Sequence, residues 1–283
     1  MRSGRAALEY LSPIGLDEAF NALGSGMPSI VAGGTDWYPA QGERPIRCDI
    51  LDITRIEGLR GIVRGPNGWR IGAASTWSDI VRADLPHAFD ALKAAAREVG
   101  SVQIQNAGTI AGNICNASPA ADGVPPLLAL NAAVEIGSSA GRRTLPLGEF
   151  IRGVRCMALE AGEMVTAILI PEIENTRRSA FVKLGARRYL VISIAMVAVA
   201  LDIENGVIRN PAVAVGACSP VAARLPILEA ALDGAALDHV AGIVAAADLS
   251  ALSPIDDVRG SGAYRLDVAS SLIERAVMEA AHG

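Results

Sequence analysis

Apolar residues along the chain follow two spacings, and the spacing changes mark out three segments. In the first, Leu16, Ala19, Phe20 and Leu23 recur every three to four residues after Pro13, which predicts a short amphipathic helix. Apolar runs at 29–32 and 50–53 read as buried strands, and the first ends at Gly33-Gly34. The pattern is β-α-β-like, with a glycine turn leaving a strand.

The second segment opens with a strand over 68–73 behind the Pro66-Asn67-Gly68 turn. Ser75 or Thr76 caps a helix over 77–83. Pro86 starts a longer helix that runs through Val99 and closes at Gly100. Residues 106–122, rich in glycine and asparagine, read as a loop. A helical stretch at 125–130 and strands at 134–137 and 165–170 follow, the last stopped by Pro171. In the third segment, polar residues 172–179 read as a linker or surface turn. Strands are expected at 181–184, 192–203 and 207–216, with Asn205-Gly206 a hairpin signal between the last two. Helices at 226–232, 238–247 and 266–281 close the chain. The expected units are 1–54, 55–173 and 174–283, in an α+β fold.

Composition narrows the function. The chain has 283 residues, 51% hydrophobic and 19% charged, so it buries a real core and is not disordered. A net charge of -5 argues against a nucleic-acid partner. The three histidines, His87, His239 and His282, are far apart, so no histidine-built metal site is expected. Cys48, Cys115, Cys156 and Cys218 form no CxxC pair, which excludes a cluster motif and fits a reducing compartment. Residues 1–11 carry Arg2 and Arg5 but no apolar signal-peptide region. The longest apolar run, 190–201, is shorter than the roughly 20 residues that span a bilayer. A soluble, cytoplasmic protein without membrane insertion is expected.

Two stretches carry chemistry. In Ile30-Val31-Ala32-Gly33-Gly34-Thr35-Asp36-Trp37 a strand enters a double-glycine turn and leaves through short polar side chains. Such a turn can aim successive N–H groups at one anion, phosphates above all, and a plain tight turn fits as well. The second is Thr109-Ile110-Ala111-Gly112-Asn113, continuing through Asn116 and Ser118 to Asp122. Its small residues allow close approach of a large ligand, and its polar side chains supply hydrogen bonds; a loop bonded to itself is the alternative. Together the two stretches fit a diphosphate-bearing ligand gripped from two sides. Neither matches the GxGxxG or P-loop pattern, and no GxSxG hydrolase motif occurs.

These stretches, with Lys183-Leu184-Gly185-Ala186-Arg187-Arg188 and the following Ile192-Ser193-Ile194, resemble the FAD-binding medium subunit of the molybdenum hydroxylases, the xanthine dehydrogenase and carbon monoxide dehydrogenase family. Weaker echoes are Ile71-Gly72-Ala73, Ser78-Asp79-Ile80 and Tyr264-Arg265. The resemblance spans nearly the whole chain in order. It implies a p-cresol methylhydroxylase-type (PCMH-type) FAD-binding fold of two α+β subdomains, followed by a C-terminal domain with a small antiparallel sheet and helices. It also implies that Ile30 to Trp37 and Thr109 to Asn113 hold the FAD diphosphate and flank the flavin. Asp122 then aligns with an acidic residue contacting FAD, Lys183 with a lysine near the flavin, and Val99 and Val165 with apolar positions touching the cofactor.

The chain departs from the family at Ala111, where a glycine is usual and a Cβ requires negative φ. Asp36 must face sugar hydroxyls or solvent, since a carboxylate beside a diphosphate repels it. The extra iron–sulfur insertion of one branch is absent. A cation among Lys183, Arg187 and Arg188 near the flavin would stabilise its reduced anion; a solvated basic edge is the alternative. Tyr189 reads as a cover over the flavin or as a packed tyrosine, and Trp37 as a pocket wall or an ordinary anchor. With no His or Cys inside either loop, and Cys115 the nearest candidate, FAD is expected to be non-covalent. By resemblance, the chain takes electrons from [2Fe-2S] clusters on a small partner subunit and passes them to an external acceptor. A large partner holds the molybdenum cofactor and oxidises the substrate, in a dimer of heterotrimers. The alternative is a stand-alone FAD-dependent oxidase or dehydrogenase of the same fold.

Overall fold

The computed structural model describes residues 8–283. Arg2 and Arg5, on which the leader expectation rests, lie outside the described residues. The chain begins with β1 (Tyr10–Leu11), α1 (Leu16–Ser25), β2 (Ser29–Val31), α2 (Trp37–Gln41) and β3 (Ile50–Asp52). The three strands form a parallel sheet in the order β1-β3-β2. Parallel strands need crossovers, and α1 and the turn with α2 provide them. α1 buries the expected Ala19, Phe20 and Leu23. The short helix α2, opening on Trp37, was not foreseen from the sequence.

Next come β4 (Ile62–Gly65), β5 (Gly68–Gly72), α3 (Trp77–Arg82), a 3-10 turn (His87–Phe89) and α4 (Asp90–Glu98). They are followed by α5 (Val102–Ala107), α6 (Ile110–Asn116), α7 (Val124–Ala129), β6 (Ala133–Ser138) and β7 (Gly141–Pro146). The segment closes with α8 (Leu147–Phe150), the hairpin β8 (Ile151–Gly153) and β9 (Cys156–Met157), and β10 (Met164–Ile170). The antiparallel order is β4-β5-β10-β6-β7. The edge strands β4 and β7 escape sequence reading because they are half-solvated and carry Arg64, Arg142 and Arg143 in place of alternating apolar residues. Thr76 forms the expected cap of α3, accepting from Asp79 N at 3.2 Å while Asp79 Oδ2 accepts from Thr76 N at 2.9 Å. The single helix expected over 86–99 is a 3-10 turn followed by α4, with Gly100 left-handed at φ +54°. The expected loop at 106–122 is largely helical: Thr109 caps α6, which buries Ile110, Ala111 and Ile114 at helical spacing.

The last segment is β11 (Arg178–Leu184), β12 (Ala195–Glu204), β13 (Val207–Gly216) and β14 (Ala223–Arg224), then α9 (Pro226–Leu232), α10 (Val240–Ala245) and α11 (Gly262–His282). The strands form an antiparallel meander in sequence order, and Asn205 and Gly206 both take positive φ at the tight turn. The stretch read as a linker instead enters β11 at Arg178. Just before it, Arg177 is pinned by Asp202, with Nη1 3.1 Å from Oδ2. β12 explains its unbroken apolar run. Ala195, Val197, Val199 and Leu201 face the helical side with α11, whereas Met196, Ala198 and Ala200 join Ala91, Ala95 and Ala129 of α4 and α7. Small side chains on that second face let the two halves of the chain approach closely.

Candidate functional site

β2 delivers the chain into Gly33-Gly34, and Gly34 takes φ +65°. The backbone N–H groups of Gly33, Gly34, Thr35 and Asp36 donate to no partner among the described residues. A run of free amides at a tight turn is a concavity for an anion. Gly33 is required for a second reason. A Cβ there would stand 1.8 Å from the carbonyl oxygen of Ala107, so the backbone of this turn rests directly on the backbone just before Thr109. The two motifs therefore meet at a single place.

On the opposite side, Thr109 Oγ1 accepts from Gly112 N at 3.1 Å. A Cβ on Gly112 would lie 2.8 Å from that hydroxyl, so the glycine lets the cap close. The amides here are spent inside the protein: Ile110 N donates to Ser75 O at 3.0 Å and Asn113 N to Thr109 O at 3.1 Å. What this wall offers a ligand is a side chain. Asn113 lines the cleft, and its Oδ1 is buried without a hydrogen-bond partner. An orphaned buried acceptor is costly unless a ligand or water completes it.

Between the walls lies a cleft of about 910 Å³, in the size range of cofactor sites. Trp77, only 1% exposed, contributes to its lining. The whole stretch Ile30 to Trp37 lines it, as do Val99, Thr109, Gly112, Asn113 and Asp122. Asp36 is exposed at the rim, and Trp37 stacks edge-on against Tyr38 at 4.9 Å. Four residues from the sequence reading stand elsewhere. Ile110 and Ala111 turn into the core, because α6 needs an apolar face there; the φ of Ala111 is negative, as its Cβ requires. Val165 is buried in β10, paired with Ile136. Lys183 lies behind the cleft wall, bonded to Asp122.

Asp122 is held from both sides. Lys183 Nζ donates to its Oδ2 at 2.7 Å and Ser193 Oγ to its Oδ1 at 2.6 Å. Burial pushes this carboxyl above the usual range, and the ammonium and hydroxyl pull it back. Ser193 is fixed through its neighbour, since buried Arg265 of α11 donates to Ile194 O and to Ala217 O. The turn before it supplies Leu190, Val191 and Ile192 to the cleft. Leu190 takes φ +52° and receives the Arg187 guanidinium on its carbonyl, while Tyr189 is exposed under Arg188.

Several lining residues went unread in the sequence. Arg155, at φ +56° in the β8–β9 turn, donates to Asn116 O at 2.8 Å and brings a cation to the cleft; no spacing or composition signal marks it. Glu98, at the end of α4, reaches the same space. Cys115 lines the cleft beyond the second motif, and burial pushes its thiol up to about 12. No group of three or more His, Cys, Asp or Glu side chains arranged for a metal ion occurs among the described residues.

Free amides at a glycine turn, an unpartnered Asn113 oxygen, and a cleft of about 910 Å³ lined by both polar and apolar residues fit a dinucleotide such as FAD. Comparisons with known proteins agree. Residues 6–173 match the model described as FAD binding domain in molybdopterin dehydrogenase, and residues 180–280 match the CO dehydrogenase flavoprotein C-terminal domain. The glyceraldehyde dehydrogenase medium chain of Sulfolobus acidocaldarius is 31% identical over 276 residues, covering 96% of this chain and 98% of that one. The nicotine 6-hydroxylase medium subunit of Paenarthrobacter nicotinovorans is 30% identical, covering 97% of each. Among solved structures, carbon monoxide dehydrogenase from Hydrogenophaga pseudoflava superposes with a TM-score of 0.88 at 29% identity, over 98% of both chains. Quinoline 2-oxidoreductase from Pseudomonas putida 86 gives 0.88 at 25% identity, over 99% of both. With both halves matched in order and the likeness running the full length, the chain belongs to the family of FAD-binding medium subunits of the molybdopterin dehydrogenases.

Proposed function

We propose that the chain relays electrons from [2Fe-2S] clusters on a small partner subunit, through FAD in the cleft, to an external acceptor. A large partner subunit carries the molybdenum cofactor and oxidises the organic substrate, in a dimer of heterotrimers within the cytoplasm. The observation that carries the reading is the meeting of the Gly33–Asp36 amides with the Thr109 turn over one dinucleotide-sized cleft. When bound, FAD supplies reversible two-electron chemistry that can also proceed one electron at a time.

The chain's own residues bind and orient. The free amides of Gly33 to Asp36 donate hydrogen bonds to the diphosphate, and the Asn113 side chain, its Oδ1 still unpartnered, lines the facing wall. Asp122, steadied by Lys183 and Ser193, keeps lone pairs for a donor on the cofactor. The turn of Leu190 to Ile192 excludes water from one side. No histidine lines the cleft, and its one buried carboxylate, Asp122, is already engaged by Lys183 and Ser193. All four cysteines are free thiols, in keeping with a reducing compartment, and no described helix is long and apolar enough to cross a membrane.

Assembly with the two partner subunits tests the route. Organic substrate should bleach the visible flavin band of the complex and leave the isolated FAD-loaded chain unchanged. Direct bleaching of the isolated chain by substrate would favour the stand-alone oxidase.

A further inference from the structure

A second pocket, of about 490 Å³, lies at the seam between α4, β11 and α11. Its rim carries Arg97 from α4, Arg187 and Arg188 from the turn after β11, and Arg275 from α11, against the carboxylates of Glu98 and Glu279. In a chain with a net charge of -5, four guanidinium groups brought together from three elements are not a consequence of composition. Three of them have no acidic partner: Arg97, Arg187 and Arg188 form no ion pair among the described residues. Arg187 is held by the carbonyl of Leu190. Arg275 is paired only with its own-helix neighbour Glu279, at 2.7 Å in an exposed i,i+4 contact that an incoming anion can displace.

From this arrangement we propose that the pocket is a binding site for the phosphate or carboxylate groups of a small anionic ligand, separate from the cofactor cleft. Guanidinium forks match oxyanions in bidentate geometry, and a concave cationic surface concentrates such ligands. The site also communicates with the cleft. Glu98 and Val191 line both spaces, and Lys183, which lines this pocket, is bonded to Asp122 on the cleft wall. An anion settling among the arginines competes for Lys183 and so alters the setting of Asp122. The coupling, though not the binding, rests on the reading of the cleft as the FAD site. Two sources share this ligand chemistry: an anionic electron acceptor, and a phosphate-bearing molecule that only modulates.

The test uses the full chain loaded with FAD and inorganic pyrophosphate as the probe, titrated calorimetrically at constant ionic strength. Saturable binding of one pyrophosphate per chain is expected, weakened at least about tenfold in Arg97→Glu and in Arg275→Glu, with flavin content unchanged in both. A perturbed flavin spectrum that saturates with the same titration is expected as well. Absence of saturable binding, or identical binding in both variants, overturns the proposal. If the chain takes up no FAD, the cleft reading fails instead, and the difference between wild type and Arg97→Glu in the flavin-free chain still reads this pocket. Reoxidation of the reduced chain by an anionic and a cationic dye separates the two sources. A KM raised by Arg97→Glu for the anionic dye alone identifies an acceptor site, and no change for either dye identifies a modulator.

Discussion

Lys183 Nζ lies 2.7 Å from Asp122 Oδ2, with both side chains nearly excluded from solvent at 6% and 9% exposure. The pair joins β11 of the C-terminal half to the wall of the cleft built by the first half. Truncating one partner strands the other as a buried charge, which usually costs about 3–5 kcal/mol. Lys183→Met should therefore lower the unfolding temperature and weaken FAD binding together. The double variant Lys183→Met/Asp122→Asn should recover much of the stability. Thermal unfolding with and without FAD measures both effects, and a double variant no more stable than the single would contradict the pairing.

Cys115 is the one thiol in the cleft, and at about 12 it stays protonated at neutral pH. A protonated thiol is a poor nucleophile toward the flavin ring. Denaturing the FAD-loaded protein should release all of its flavin into the supernatant, and Cys115→Ala should keep full flavin content. Flavin retained on the precipitated chain would show a covalent bond.

Acid stability should depend on Glu163. Arg143 donates to both of its oxygens at 2.6 Å, and this holds the carboxyl below the usual glutamate range. A depressed carboxylate stabilises the fold fully above the unfolded value of about 4.3, and the contribution is lost as pH falls through the lower folded value. Glu163→Gln should cost about 1 kcal/mol at neutral pH and flatten the acid limb of a stability–pH curve. Equal acid limbs in chemical denaturation of the two proteins would remove Glu163 from the account.

Thr76 caps α3 just ahead of Trp77, and Asp79 of the same capping box receives Arg60 at 2.8 and 2.9 Å. Thr76→Ala should cost about 1 kcal/mol of stability. Because Trp77 lines the cleft, a measurable fall in FAD affinity should accompany it. An unchanged melting temperature would mean that the cap carries no load here.

Much of this was open to sequence reading where physics is local. The Leu16–Leu23 periodicity, the Asn205-Gly206 turn and the Pro226 helix start each rest on a few adjacent residues. Helix α6 was misread because Gly112, Asn113 and Asn116 look like a loop, although Ile110 and Ile114 already stood at helical spacing. Within the cleft, the Gly33-Gly34 turn showed itself through chemistry that only glycine permits. Arg155 and the turn of Leu190 to Ile192 did not, since their place in the cleft comes from long-range packing. Long-range pairing also hid the role of Lys183: nothing in sequence shows that its ammonium ends on Asp122, 61 residues away.

Equilibrium titration of FAD into the full chain and into Gly33→Ala tests the central claim most directly. The wild-type chain should bind one FAD per chain, with quenched flavin fluorescence. Gly33→Ala, whose Cβ would stand 1.8 Å from Ala107 O, should bind at least about a hundredfold more weakly, equivalent to ~2.8 kcal/mol, while still unfolding cooperatively. Equal affinity in the two proteins, or no FAD uptake by the wild-type chain, would contradict the claim that the two turns clasp one dinucleotide.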